Sequence, residues 1–247
     1  LVKNTKKNYF CTKGNEMRNN ILDFLRLLAA NNNKAWFEEH RALYEKRRQE
    51  LISITDAIIS GIRKFDPDLG PIEAKNCLFR QYRDLRFTKN KQPYKTTMSV
   101  YIAKGGKNSL LSGYYMHLEP DNCFAGGGVY SPQAEILKAI RNEIYFNLDE
   151  WMGIVQNPEF INTFGSLTQE EMLKRPPKGF PADFKGIDQL KYKNYVATRG
   201  FNPDILTTEK LISTAVQTFK TLYPLHRFLN QAIDNFDEEP DVNTLLI

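Results

Sequence analysis

Apolar residues recur at helical spacing from residue 21 onward, with Ile21, Leu22, Phe24, Leu25 and Leu28 sharing one side. Asn31-Asn32-Asn33 interrupts that period. Asparagine tolerates the left-handed backbone at a helix end and also caps the helix that follows. Trp36, Phe37, Leu43, Tyr44, Leu51, Ile54, Ile58 and Ile62 then predict one long amphipathic helix, closed by DPDLGP at 66–71. So short a break makes the two helices a hairpin. The period changes at residue 79. Phe79–Phe87, Thr97–Ala103, Gly113–Glu119 and Cys123–Tyr130 are short β-favouring runs separated by TKNKQP, KGGKN and PDN. Turns this short join antiparallel neighbours, which predicts a meander.

Ser131-Pro132 reads as an N-cap and first-turn proline before a helix burying Ile136, Leu137, Ile140 and Ile144. A shorter helix carries Leu148, Trp151, Met152 and Val155 and stops at Asn157-Pro158. Prolines and glycines break up residues 158–194, where short helices and ordered loops are expected. Tyr195–Phe201 offers a fifth strand. From Thr207 a closing helix aligns Leu211, Ile212, Ala215, Val216, Phe219 and Leu222, and Pro224 should kink or split it. The expected class is α+β: a four- to five-stranded, mainly antiparallel sheet against an N-terminal helical hairpin and C-terminal helices.

Residues 1–16 show no apolar period and read as a disordered extension ahead of Met17. A single domain is expected over 17–236, followed by an acidic tail at 237–247. The net charge of +5 therefore hides a segregation, since DNFDEEPD near the end carries five acids and no base. A hydrophobic content of 41% and a charged content of 26% suit a globular protein outside the membrane. Three cysteines without a CxxC pair point to neither a disulfide framework nor a structural zinc site, and a reducing cytoplasm is the simplest setting.

The chemistry concentrates between Phe79 and Ala103. Arg80, Arg83, Arg86, Lys89, Lys91 and Lys95 face a single acid, Asp84. In a strand, Arg80, Tyr82, Asp84 and Arg86 would share one face, where Asp84 can pair with one arginine but hardly saturate both. Surplus guanidinium donors suit a phosphate or carboxylate held bidentately. An Arg–Asp–Arg ladder closing a half-exposed sheet is the competing reading. Pro93 stiffens the turn that carries Lys91, Tyr94 and Lys95, and the turn lacks the glycines of a Walker-type phosphate loop.

In the next hairpin Tyr115, His117 and Glu119 share a face. A two-residue turn at Asp121-Asn122 would set His117 opposite Gly126 and Tyr115 opposite Gly128. Bare backbone there leaves room for a ligand, or else for a closely packed neighbouring strand. His117, with Glu119 or Asp84, is the candidate for acid–base work. His40 and His226 lie on distant helices, so no metal set assembles and no cofactor is called for. A second basic group, Lys174, Arg175, Lys178, Lys191 and Lys193, flanks KRPPKGF.

With NNNKAWFEEHR, FRQYRDLRFTKNKQPYKT, GYYMHLEPDNCFAGGGVYSP, KRPPKGF and PLHRFLN in view, the chain resembles domain of unknown function (DUF) family 2461 from about Ile21 to Phe236. This uncharacterised family is found in bacteria and fungi. The resemblance implies an intracellular α+β domain and carries no catalytic assignment onto these positions. Cys123 and His40 depart from the residues expected there, which argues against a role for either.

The expected function is to bind an anionic, phosphorylated or carboxylated small molecule. Arg80, Arg86, Lys91 and Lys95 would neutralise charge, Tyr82 and Tyr94 would orient, and His117, Glu119, Gly126 and Gly128 would form the opposite wall. The alternative is a nucleic-acid-binding module using the basic hairpin 80–95. No membrane partner is expected.

Overall fold

The computed structural model describes residues 20–86, 89, 91–202 and 208–238. The expected extension and most of the acidic tail fall outside them, as do Met17 and the end of the first expected strand. Helix α1 (Ile21–Ala30) opens on a capping box. Asn20 Oδ1 accepts from the Asp23 N–H at 3.0 Å, and Asp23 Oδ2 accepts from the Asn20 N–H at 3.2 Å. Asn33 caps α2 (Lys34–Glu39) through the Trp36 N–H. The single long helix expected next is in fact two, because the chain leaves helical geometry at His40 before α3 (Arg41–Ile62). His40 stabilises the break: its Nδ1 lies 2.9 Å from the Trp36 carbonyl oxygen and its ring stacks on Trp36 at 4.1 Å.

A one-turn helix α4 (Ala74–Cys77) leads to the sheet. Strands β1 (Met98–Ile102), β2 (Gly113–Leu118), β3 (Cys123–Val129) and β4 (Tyr195–Phe201) lie side by side in chain order, all antiparallel. Helices α5 (Ala134–Phe146), α6 (Leu148–Val155) and α7 (Pro158–Phe164) fill the connection from β3 to β4. Helix α8 (Thr208–Glu238) is continuous through Pro224 rather than split. The fold is α+β as expected, with four strands.

Alternation along the strands sends Val100, Ile102, Tyr114, Met116, Leu118, Ala125 and Ala197 to one buried face. Phe219, Leu222, Leu225 and Leu229 of α8 are buried in the same core. Burying a side chain of this size stabilises the fold by about 1.5–3 kcal/mol. Gly127 lets α8 approach: a Cβ there would come within 2.8 Å of Leu222 and collide with the Gly113 carbonyl oxygen. Ser99, Tyr101, Tyr115, His117 and Phe124 point to the other, half-covered face.

Two local expectations are corrected. The β2–β3 loop is the four-residue turn Glu119–Asn122, closed by Asn122 N–H to Glu119 O at 3.1 Å with Asp121 at φ 69°. Proline at its second position and a left-handed third residue make this a type II turn. His117 consequently pairs with Phe124 and Tyr115 with Gly126, two residues from the expected register. Helix α5 begins at Ala134, and Ser131 (φ 48°) is held by its N–H to Asn194 Oδ1 at 2.7 Å instead of capping.

A buried polar knot joins the α3–α4 connection to β2 and α8. Tyr114 donates its hydroxyl to Asp66 Oδ2 at 2.9 Å, and Asp66 Oδ1 accepts from the Asp68 N–H at 3.2 Å. His226 stacks on Tyr114 at 4.6 Å, with Nδ1 3.2 Å from Ser112 Oγ and Nε2 3.1 Å from Asn230 Nδ2. The Asn230 amide is oriented because its Oδ1 accepts from the Ser112 N–H at 2.8 Å. Its Nδ2 therefore donates to His226 Nε2, and the ring proton sits on Nδ1 facing Ser112. An imidazole that donates to the serine cannot also be its base, so this buried Ser–His–Asp constellation is structural. Burial pushes His226 down to about 4 and holds the Asp66 carboxyl above its usual range, against the Tyr114 hydrogen bond.

Tyr114→Phe should cost about 1–3 kcal/mol in urea unfolding, since Asp66 loses a buried donor. A neutral His226 gives stability that is complete above its unfolded value of about 6.5 and declines as pH falls. The decline runs towards about 4, with the raised Asp66 carboxyl opposing it at the low end. His226→Gln should flatten that acid-side slope, and an unchanged slope would exclude the neutral Nδ1–H assignment.

Candidate functional site

The basic stretch is an arm laid beside β1, and the strand expected at Phe79–Phe87 does not form within the described residues. Isolated bridges join Leu78 to Val100 and Tyr82 to Tyr94. Between them Gln81 is buried, and its Nε2 donates to the carbonyl oxygens of Lys95 and Thr97. The side-chain amide thus reinforces a short backbone pairing, in which Lys95 N–H bonds Gln81 O at 2.8 Å and Arg83 N–H bonds Pro93 O at 2.9 Å. The returning limb is clamped by Asn32. Its Nδ2 donates to the Tyr94 carbonyl at 3.0 Å and its Oδ1 accepts from the Tyr94 N–H at 3.1 Å. Arg83 Nε reaches the same carbonyl at 3.0 Å.

This scaffold crowds cations. Lys95 is half-buried with its Nζ 5.5 Å from the centroid of the Phe79 ring. Burial lowers its pKa, and the nearby Arg80 and Arg83 lower it further. No carboxylate among the described residues contributes to that shift at Lys95. Arg80 is exposed and forms no ion pair among the described residues. Asp84 is taken by Arg86, with Nε to Oδ1 at 3.0 Å and Nη2 to Oδ2 at 2.7 Å. That guanidinium holds the Asp84 carboxyl below the usual range, and Arg80 contributes from farther away.

The remaining expected residues are spread out. Lys91 is exposed and donates to the Leu85 carbonyl at 3.3 Å. Tyr94 is buried, stacked on Phe37 at 3.9 Å, and does not reach solvent. Tyr82 packs 5.1 Å from Tyr94, with its hydroxyl 3.3 Å from Arg41 Nη2. A Cβ on Gly126 would run into the Ala197 carbonyl, and one on Gly128 (φ 124°) into that of Tyr195. These glycines answer to the close neighbouring strand.

On the half-covered face of the sheet, Tyr115 Oη lies 2.9 Å from His117 Nδ1 and Glu119 Oε2 3.3 Å from His117 Nε2. Asn122 Nδ2 donates to the same Glu119 oxygen at 3.2 Å. Burial raises the Tyr115 pKa, and the Glu119 carboxylate, which can only accept, sets a ring proton on Nε2. Nε2–H then donates to Glu119, so both ring nitrogens are engaged. The His117 ring also stacks on Phe124 at 4.8 Å with planes 14° apart. Phe79 meets Tyr115 at 6.3 Å, so Lys95, Phe79, Tyr115, His117 and Glu119 form one continuous surface.

Phe79, Arg83 and Phe124 belong to this surface and were absent from the expected site. Alternation from His117 signals Phe124; Arg83 stood in the basic cluster but on the opposite face of the expected strand from Arg80, and nothing local marks Phe79. Among the described residues no three His, Cys, Asp or Glu side chains group as metal ligands. Cys77 and Cys123 are buried free thiols, and burial pushes Cys77 up to about 11.

Fold and site together define an α+β protein with a cationic arm at the edge of a half-covered antiparallel sheet. The chain belongs to the DUF2461 family of conserved hypothetical proteins, whose family model matches residues 20–228. The match takes in both the Asn32 clamp and the arm it holds. No curated protein and no solved structure matches the chain.

If Arg80 and Lys95 repel each other, Arg80→Ala should raise the Lys95 pKa, read from the pH dependence of its side-chain NMR signals. An unchanged titration would show that the two charges do not meet.

Proposed function

We propose that this protein binds an anionic small molecule, phosphorylated or carboxylated, beside Arg80, Arg83 and Lys95 at the edge of the sheet. One observation carries the reading: Lys95 is held half-buried among two guanidinium groups, with no carboxylate among the described residues contributing to its lowered pKa. Like charges kept together out of water cost free energy, and an incoming anion recovers it. Arg86 serves indirectly, holding Asp84 so that the acid does not close on Arg80. Lys91 adds charge at the tip of the arm, and Tyr82 flanks it. His117 and Glu119 are the fixed far wall. With both ring nitrogens engaged, His117 would have to break a hydrogen bond to move a proton, and binding requires no such step. Two buried free thiols accord with a reducing, cytoplasmic setting.

A nucleic-acid track would need the arm to continue into the second basic group. That group lies towards the far edge, where Leu173 N–H bonds the Lys191 carbonyl and Thr168 N–H bonds the carbonyl of Val196 on β4. Lys191 is itself paired with Asp188 at 2.6 Å. No helix among the described residues is long and apolar enough to cross a membrane.

Inorganic phosphate should raise the melting temperature by about 5–10 °C at a hundredfold excess over Kd. Arg80→Ala and Lys95→Met should abolish the shift. Arg86→Ala should reduce it by releasing Asp84 towards Arg80. A full shift in Arg80→Ala would place the site elsewhere.

A further inference from the structure

Four glycines lie along β3 and β4, and three have a packing reason. Gly126, Gly127 and Gly128 would each drive a Cβ into a neighbouring backbone carbonyl. Gly200 is different. It is exposed, its backbone is outside the left-handed region, and the nearest atom to an added Cβ is the Cys123 carbonyl oxygen at 3.9 Å. Neither packing nor backbone geometry calls for glycine there.

Its place in the register gives it meaning. Ser99, His117, Phe124 and Gly200 form one row across the four strands. The rings of His117 and Phe124, neighbours in that row, lie nearly parallel at 4.8 Å, so the stack runs across the strands at the interstrand spacing. The next place in the stack lies above Gly200 and holds no side chain of the described residues. Thr198, the adjoining residue on that face of β4, is small and exposed. The pleat also directs the backbone N–H and C=O of Thr198 and Gly200 away from β3, as it does the Val196 carbonyl that Thr168 meets.

We infer that this gap takes a planar nucleobase, stacked on Phe124 over Gly200, with the outward backbone groups of β4 within reach of its polar edge. The inference rests on the anion site proposed above and extends it. Phe79 N–H bonds the Ser99 carbonyl, so the cationic arm begins at the other end of the same row. Three to four interstrand spacings, about 15–20 Å, separate the gap from the arm. A nucleoside monophosphate does not bridge that distance, and a nucleoside triphosphate would lay its charged chain over Tyr115 and His117 beside the Glu119 carboxylate. The ligand is therefore a dinucleotide: a base in the gap, its chain crossing His117 and Tyr115, and a terminal phosphate at Arg80, Arg83 and Lys95.

The test is calorimetric titration with the 5′-phosphorylated diadenylate pApA, with inorganic phosphate and with a twelve-residue oligodeoxyadenylate. The proteins are the full chain and its Gly200→Val and Arg80→Ala variants. Valine suits an edge strand and fills the gap, so Gly200→Val should fold normally. The expected result is that pApA binds more tightly than phosphate, that Gly200→Val loses about tenfold or more for pApA alone, and that Arg80→Ala loses both. If Gly200→Val binds pApA as the wild type does while phosphate still depends on Arg80, the base subsite is wrong and the anion site stands. If phosphate binding is absent or ignores Arg80, the anion site itself fails. An oligomer that binds far more tightly than pApA would overturn the assignment of a dinucleotide.

Discussion

The structure depends on the close seating of the sheet on α8. Gly127 brings β3 against Leu222, and its glycine neighbours bring β4 against β3. That contact fixes which face of every strand is sealed. Because side chains alternate, sealing one face leaves Tyr101, Tyr115, His117 and Phe124 together on the other. The candidate site follows from how the core closes.

Two polar arrangements hold what apolar packing leaves loose. Around Asp66, Tyr114, Ser112, His226 and Asn230, each main donor has an acceptor and the knot fixes where α8 crosses β2. Asn32 does the same for the arm by bonding both backbone groups of Tyr94. It therefore links the segments NNNKAWFEEHR and FRQYRDLRFTKNKQPYKT, which are distant in sequence and meet in space at Asn32 and Tyr94. Without the clamp, the arm's cations would relax outward into water, where their repulsion costs little.

Charges that are inexpensive apart become informative when held together. Arg86 and Asp84 are exposed and make an ordinary surface pair. Lys95 is different, because its neighbours are cations and its surroundings are partly dry. The row from Phe79 to Gly200 then joins this charged edge to an aromatic stack whose far end, above Gly200, carries no side chain of the described residues.

Much of this was legible in the residues alone. Capping asparagines, helical apolar spacing and alternating strands marked most of the elements and the α+β class, because each of those signals is local. Strand parity kept Gly126 and Gly128 on the His117 face even though the expected turn was two residues too short, since a shift of two preserves parity. Position across strands was not legible. The type II turn set the register, Gln81 and Asn32 made an arm where a strand was expected, and long-range packing gathered Arg83 and Phe79 around Lys95. Which face a side chain takes is decided by its own strand, whereas its partners are decided by segments many residues away.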